Sequence, residues 1–145
     1  DVVLDCSDNF STRHAVNAAC VTHRKPLVSG AAVRFDGQLA VFDMRDARSP
    51  CYQCLFPAGG EDSDMRCAVM GVFAPLVGIV GSTQAAEALK LMAGAGTSLA
   101  GRLLLFSLPV LIFATIWRAT PLTAPIWRRC GRGSTAGWTR RGSTS

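Results

Sequence analysis

The apolar stretch Val2-Val3-Leu4 closes on Asp5-Cys6-Ser7-Asp8-Asn9, and a helical pattern carrying Arg13 follows at once. That junction constrains the fold more than any other feature of the chain. A short buried strand running straight into a helix is the opening of an α/β unit. Sheets of that class bind ligands at the carboxyl ends of their strands. Two carboxylates and an amide at such an edge suit a metal that bridges nucleotide phosphates.

The pattern downstream continues in the same style. Phe10 to His23 is expected as a helix, with Asp8 or Asn9 as its N-cap and Val16, Ala19, Cys20 and His23 along one face. Lys25-Pro26 ends it. Leu27–Val33 and Gln38–Asp43 are expected as strands that turn through Phe35-Asp36-Gly37, because Asp-Gly favours a tight turn. Residues 44–66 form a loop holding Cys51-Tyr52-Gln53-Cys54 and the acidic run Gly59-Gly60-Glu61-Asp62-Ser63-Asp64. A loop of that length inside a compact domain is functional or disordered. A helix over Pro75–Ala93 stops at Gly94, and Arg102–Phe106 is the last expected strand. Gly78 and Gly81 would let that helix pack closely, on the sheet in the simplest reading or on a partner.

The 145 residues, 49% of them hydrophobic, suffice for one domain with a core. A net charge of +5 invites a nucleic-acid reading, but the charge is not spread evenly. Residues 1–108 hold nine of the 15 basic and all ten acidic residues, a net −1; residues 109–145 hold the remaining six basic residues and all three tryptophans. The basic charge therefore belongs to the tail, and no nucleic-acid partner is expected. The apolar run 103–117 is broken by Ser107 and Pro109 and falls short of the roughly 20 residues that span a bilayer. Gln84, Glu87 and Lys90 argue against a span in the long helix, so no membrane partner is expected either. Asp1 begins directly at a strand, without a basic leader or an initiator Met, which suggests a truncated, cytoplasmic chain. In a reducing compartment C-x-x-C reads as metal or redox chemistry rather than as part of a disulfide framework.

Taken in order, LDCSDNFSTRHAVNAAC, KPLVSGAAVRFDGQLAVFD, CYQCLFP, Cys67, GVFAPLVGIVGSTQAAEALKLMAG and GRLLLF resemble the MoeB/ThiF/HesA family, prokaryotic relatives of the ubiquitin-activating enzymes. The likeness covers about residues 1–106, the C-terminal part of such an enzyme, and is nearest to MoeB-type members. It implies an α/β fold: a partial Rossmann-like, ThiF-type sheet domain lacking the N-terminal nucleotide-binding half. The implied activity is ATP- and Mg²⁺-dependent adenylation of the C-terminal Gly-Gly carboxylate of a ubiquitin-like sulfur carrier of the MoaD/ThiS kind. Sulfur transfer follows, for molybdenum cofactor or thiamin biosynthesis. A homodimer is implied for the complete enzyme. The alternative is a catalytically inactive interaction or scaffold fragment of the same family.

Carried over residue by residue, Asp8 matches the family's metal-and-nucleotide aspartate and Asn9 its neighbour, although a carboxylate there could equally cap the helix. Asp5 reads as a structural hydrogen-bond acceptor. Arg13 either reaches phosphate or Asp8, or is a solvated helix arginine. Cys51 and Cys54 have the spacing of two ligands to one zinc, yet only half a site is present: family members supply a second C-x-x-C near the C-terminus, and Cys130, the only later cysteine, is single and not in the matching position. Two thiols without metal are the other reading; a thioredoxin-like pair should open a helix. Cys67 matches the cysteine that takes the carrier's acyl group in sulfur-transferring members, or is an incidental loop cysteine. Cys6 and Cys20 read as small core residues, and His14 and His23 as ordinary helix histidines. The family's glycine-rich nucleotide cradle would lie before Asp1. Residues 107–145 depart from the family pattern and carry no acid, which suggests a frameshifted, disordered basic tail.

Overall fold

The computed structural model describes residues 1–57, 70–108 and 112–118, the last of these as backbone apart from Ala114. Five strands form a single sheet in sequence order: β1 (Val3–Asp5), β2 (Leu27–Val33), β3 (Asp36–Phe42), β4 (Arg102–Ser107) and β5 (Ile112–Arg118). Helix α1 (Phe10–His23) carries the chain from β1 to the parallel strand β2, with Asp5 opposite Ser29. The remaining pairs are antiparallel. The result is one βαβ unit continued by a meander. A short helix α2 (Tyr52–Leu55) and the long α3 (Ala74–Ala93) complete the described elements.

Alternation along the strands builds two cores, because successive side chains point to opposite faces. Leu27, Ala40, Phe42 and Leu103 pack with Cys20, Cys51 and Tyr52 on the side of α1 and α2. Val28, Leu39, Val41 and Phe106 pack with Leu76, Val80 and Ala88 of α3 on the other. The sheet is thus the middle of three layers.

Several expectations are corrected. The β2–β3 turn is Arg34-Phe35, not Phe35-Asp36-Gly37: Val33 pairs with Asp36, and Arg34 takes the left-handed conformation at φ 52°. Gly37 stays in the strand because α3 leans on it; a Cβ there would lie 3.0 Å from Val80 Cγ2 and 3.1 Å from Leu76 Cδ1. The Arg34 backbone is tied to the approach to α3, its N–H donating to Gly71 O and its carbonyl accepting from Phe73 N. That tether holds the turn earlier than local propensity places it. Disorder from residue 107 onward fails over Ile112–Arg118, which pairs along β4 and becomes an edge strand. An apolar run with a free strand edge beside it gains a full ladder of hydrogen bonds by pairing. The rest of that tail, residues 119–145, lies outside the described residues. Among the described residues no helix is long and apolar enough to cross a membrane.

Candidate active site

Where β1 ends, the backbone turns sharply into α1, and the turn is built from polar side chains. Asn9 is the N-cap: its Oδ1 accepts from the Thr12 N–H at 2.8 Å and from Ser11 Oγ at 2.9 Å. Capping therefore falls to Asn9, which commits that oxygen to the helix. Asp8 is left exposed beside it. Asp5 behaves as expected of a buried acceptor at 3% exposure. Its Oδ1 accepts from Ser7 N–H (3.0 Å) and Ser7 Oγ (2.6 Å), and its Oδ2 from Ser29 Oγ (3.2 Å).

Arg13 is neither solvated nor extended toward Asp8. It is buried and forms an ion pair with Asp5, Nη1 to Oδ2 at 3.5 Å. Nη1 also donates to Ser29 Oγ at 3.2 Å, and Nη2 donates to the Ser7 carbonyl. The physical reason is reach. An arginine one turn into α1, on the face turned to the sheet, meets the β1 carboxylate before it meets water. A buried carboxylate requires such a partner. From the opposite layer, Gln84 of α3 is also buried, and its Nε2 donates to Asp5 O (2.9 Å) and Val28 O (3.3 Å). Gly30 makes room for it, since a Cβ there would lie 2.5 Å from Gln84 Cδ. Cys6, expected in the core, is exposed past the last strand residue, its Sγ 3.8 Å from Gln84 Oε1.

The C-x-x-C sits across α1 from this turn. Cys51 is the N-cap residue of α2, so the motif does open a helix, though one of only four residues. The cap is supplied from α1: buried Asn17 accepts the Tyr52 N–H through Oδ1 at 2.9 Å. Tyr52 is locked by edge contacts with His14 and Phe42 and by a tilted one with Phe56. Cys51 Sγ and Cys54 Sγ are 3.6 Å apart. Two thiolates on a tetrahedral zinc lie about 3.8 Å apart at Zn–S bonds of roughly 2.3 Å, so this pair has the spacing of half a zinc site. No group of three or more potential ligands occurs among the described residues. Cys51 is disulfide-bonded, so it offers a thiolate to metal only after reduction. A shallow recess lined by Arg13, Ser29, Gln38, Tyr52 and Phe56 connects the C-x-x-C side to the strand end.

The structure thus brings Asp8 and Asn9 together at one edge and Cys51 and Cys54 at another. Cys67, the expected acyl acceptor, lies outside the described residues, as does the acidic run before it. Asp8 fits one requirement of magnesium, a hard exposed carboxylate oxygen that leaves room for water and phosphate ligands. Asp5 does not compete, because its oxygens are occupied. Cys20 is an inert core thiol: burial pushes its pKa up, and the nearby Asp5 charge pushes the same way. Three polar residues missed in the sequence hold the site, namely Ser29, Gln84 and Asn17. Gln84 was the legible one, a polar residue continuing the buried row of Leu76 and Val80 at four-residue spacing.

Comparison with known proteins bears on most of the chain. Residues 1–123 match the model of the ThiF family, past the point near 106 where the motifs end. The chain is 46% identical over 106 residues to the molybdopterin-synthase adenylyltransferase of Escherichia coli K12, covering 73% of this chain and 42% of that protein. It is also 46% identical over 117 residues to the adenylyltransferase and sulfurtransferase MOCS3-1 of Drosophila pseudoobscura pseudoobscura, covering 80% of this chain and 26% of the relative. The chain thus spans well under half the length of these relatives. Among solved structures, E. coli MccB with ATP superposes at a TM-score of 0.67 and 14% identity, over 87% of this chain and 39% of that one, a likeness of fold. Motif order, strand-end geometry and the match over 123 residues agree: the chain belongs to the ThiF family.

Proposed function

We propose that this chain forms part of an ATP-dependent adenylyltransferase that activates the C-terminal Gly-Gly carboxylate of a ubiquitin-like sulfur carrier, in molybdenum cofactor or thiamin biosynthesis. The observation that carries this reading is the exposed Asp8 carboxylate on a pinned strand end, in a chain 46% identical to a molybdopterin-synthase adenylyltransferase. A carboxylate oxygen of the carrier would attack the α-phosphorus of ATP, forming the acyl-adenylate while the bond to pyrophosphate breaks. Magnesium held by Asp8 would neutralise charge developing on the phosphates. Asn9 would keep the helix start, and with it the Asp8 backbone, in place. Cys67 would then take the acyl group from the adenylate as a thioester, releasing AMP. Cys51 and Cys54, when reduced, would supply two of four ligands to a structural zinc.

The test is ATP–pyrophosphate exchange by the enzyme of which this chain forms part, with a carrier protein ending in Gly-Gly. Exchange that is lost in Asp8→Asn, and retained in Cys67→Ser while the thiol-sensitive carrier adduct disappears, is the expected result. Exchange unaffected by Asp8→Asn would remove Asp8 from the chemistry. A second reading, a scaffold member of the family, is favoured by the outward face of α3, where Val77, Leu89 and Met92 are exposed. Absence of exchange with every carrier, together with retained carrier binding, would select it.

A further inference from the structure

We propose that Asp5, Arg13 and Gln84 are positioning residues that fix the Cys6–Asn9 turn, and so the Asp8 carboxylate, before any ligand arrives. The proposal rests on the reading above only in what Asp8 is positioned for. Ser7 is the centre of the device. Its N–H and Oγ both donate to Asp5 Oδ1, and its carbonyl accepts from Arg13 Nη2, so every polar group of Ser7 is held by a buried ion pair. One residue before the turn, the Asp5 carbonyl is held by Gln84 from the other side of the sheet. At its far end Asn9 is bound into the first turn of α1. The clamp therefore reaches the turn from three elements: β2 through Ser29, α1 through Arg13, and α3 through Gln84. Cys6 and Asp8, the residues either side of Ser7, are the ones that project into solvent.

The chemistry follows from where the charges cancel. Arg13 and Asp5 neutralise each other inside the molecule, so the negative charge offered at the strand end is that of Asp8. Such an edge suits a divalent cation that carries phosphates rather than a bare phosphate, for which the buried guanidinium is not available. A turn held rigid without ligand loses little freedom when the cation binds, which is the advantage of a preorganised site. Arg13 thus acts through Ser7 and Asp8 and contacts no ligand itself.

Amide hydrogen exchange on the whole chain separates positioning from plain stability. Arg13→Met should accelerate exchange in residues 6–9 at least tenfold more than in Leu27–Val33 and Asp36–Phe42, with Arg13→Lys recovering part of the protection. Ser7→Ala, which removes only one hydroxyl, covers the case in which Arg13→Met does not fold; it should loosen the same four residues and leave the strands unchanged. Equal acceleration in turn and strands would overturn the proposal, as would no acceleration in either variant. Mn²⁺ titration then tests the underlying reading separately. Binding that weakens at least tenfold in Arg13→Lys and disappears in Asp8→Asn supports both. If the wild-type chain binds no Mn²⁺, the metal role of Asp8 fails, and the exchange result still decides the clamp.

Discussion

Helices α1 and α3 break the amphipathic rule in opposite directions. Helix α1 turns Arg13 and Asn17 inward, where an apolar stripe is the usual occupant. Helix α3 turns Val77, Leu89 and Met92 outward, at 48%, 63% and 68% exposure, on a face where charge is usual. The first inversion is explained within the molecule. Arg13 has Asp5 and Ser29, Asn17 has the Tyr52 N–H, and no buried side-chain polar atom lacks a partner among the described residues. The second has no such internal explanation in the described residues. Gly78 and Gly81, expected to pack on the sheet or on a partner, face open space among the described residues, where a Cβ on either would meet nothing within 4 Å. A buried polar cluster with every group satisfied specifies a local geometry. An exposed apolar stripe specifies a contact made elsewhere.

The comparison can be broken most decisively at α1. Arg13→Met leaves the Asp5 carboxylate buried without its counter-charge and should cost about 3–5 kcal/mol in urea unfolding at pH 7. A loss under about 1 kcal/mol would mean that Asp5 does not depend on Arg13, and the internal account of α1 would fall. Next in size is the seam between the two helices. Gly30→Ala should cost roughly 1–3 kcal/mol, because the new methyl group displaces Gln84 from the Asp5 carbonyl. Pairing Gly30→Ala with Gln84→Ala in a double-mutant cycle checks this: the alanine at residue 30 should lose part of its cost once Gln84 is truncated, the remainder staying with Val80 Cγ1, 2.8 Å from the new Cβ.

On the outer face of α3 the expected effect on stability is small. Leu89→Lys and Met92→Gln should each stay within about 0.5 kcal/mol of the parent, while lowering self-association in sedimentation. A loss above about 2 kcal/mol would show that this face is packed inside the chain, and the contrast between the helices would disappear.

The smallest effect concerns pH. Arg45 hydrogen-bonds Asp43 at 2.8 Å and holds its carboxyl below the usual range, against a smaller opposing push from burial. A lowered folded-state pKa means that the contribution is complete above the ordinary carboxylate range near pH 4 and fades as pH falls through the lowered value. With Arg45 half exposed, it should amount to less than about 1 kcal/mol. The stability difference between the parent and Asp43→Asn should therefore shrink between roughly pH 4 and pH 2.

Much of this was legible in the residue order. Helix α1 has the bounds that its pattern predicts, Phe10–His23, because Asn9, Lys25 and Pro26 are local signals whose effect needs no partner. Strand β2 agrees for the same reason, a continuous apolar run closed by a turn. The end of α3 was equally readable, since Gly94 at φ 62° is a C-cap that depends only on its own backbone. Asp5 was read as a structural acceptor, and its carboxylate accepts from Ser7 and Ser29. The misreadings share a different character. Cys6, Arg13, Gly78 and the Asp36-Gly37 pair were assigned by what such residues usually do.

What the sequence by itself determined, then, is the family and the elements from β1 to β4 apart from α2, with the caps that open α1 and close α3. Those depend on interactions spanning a few residues, which the order of side chains encodes directly. Only the tertiary structure decided which way each helix faces. It paired Asp5 with Arg13 and Ser29, brought Gln84 across 79 residues to the Asp5 carbonyl, and lent Asn17 to the C-x-x-C turn. Those choices arise because a buried polar group takes whichever partner the packed layers bring within about 3 Å, and that proximity exists only once the sheet has assembled.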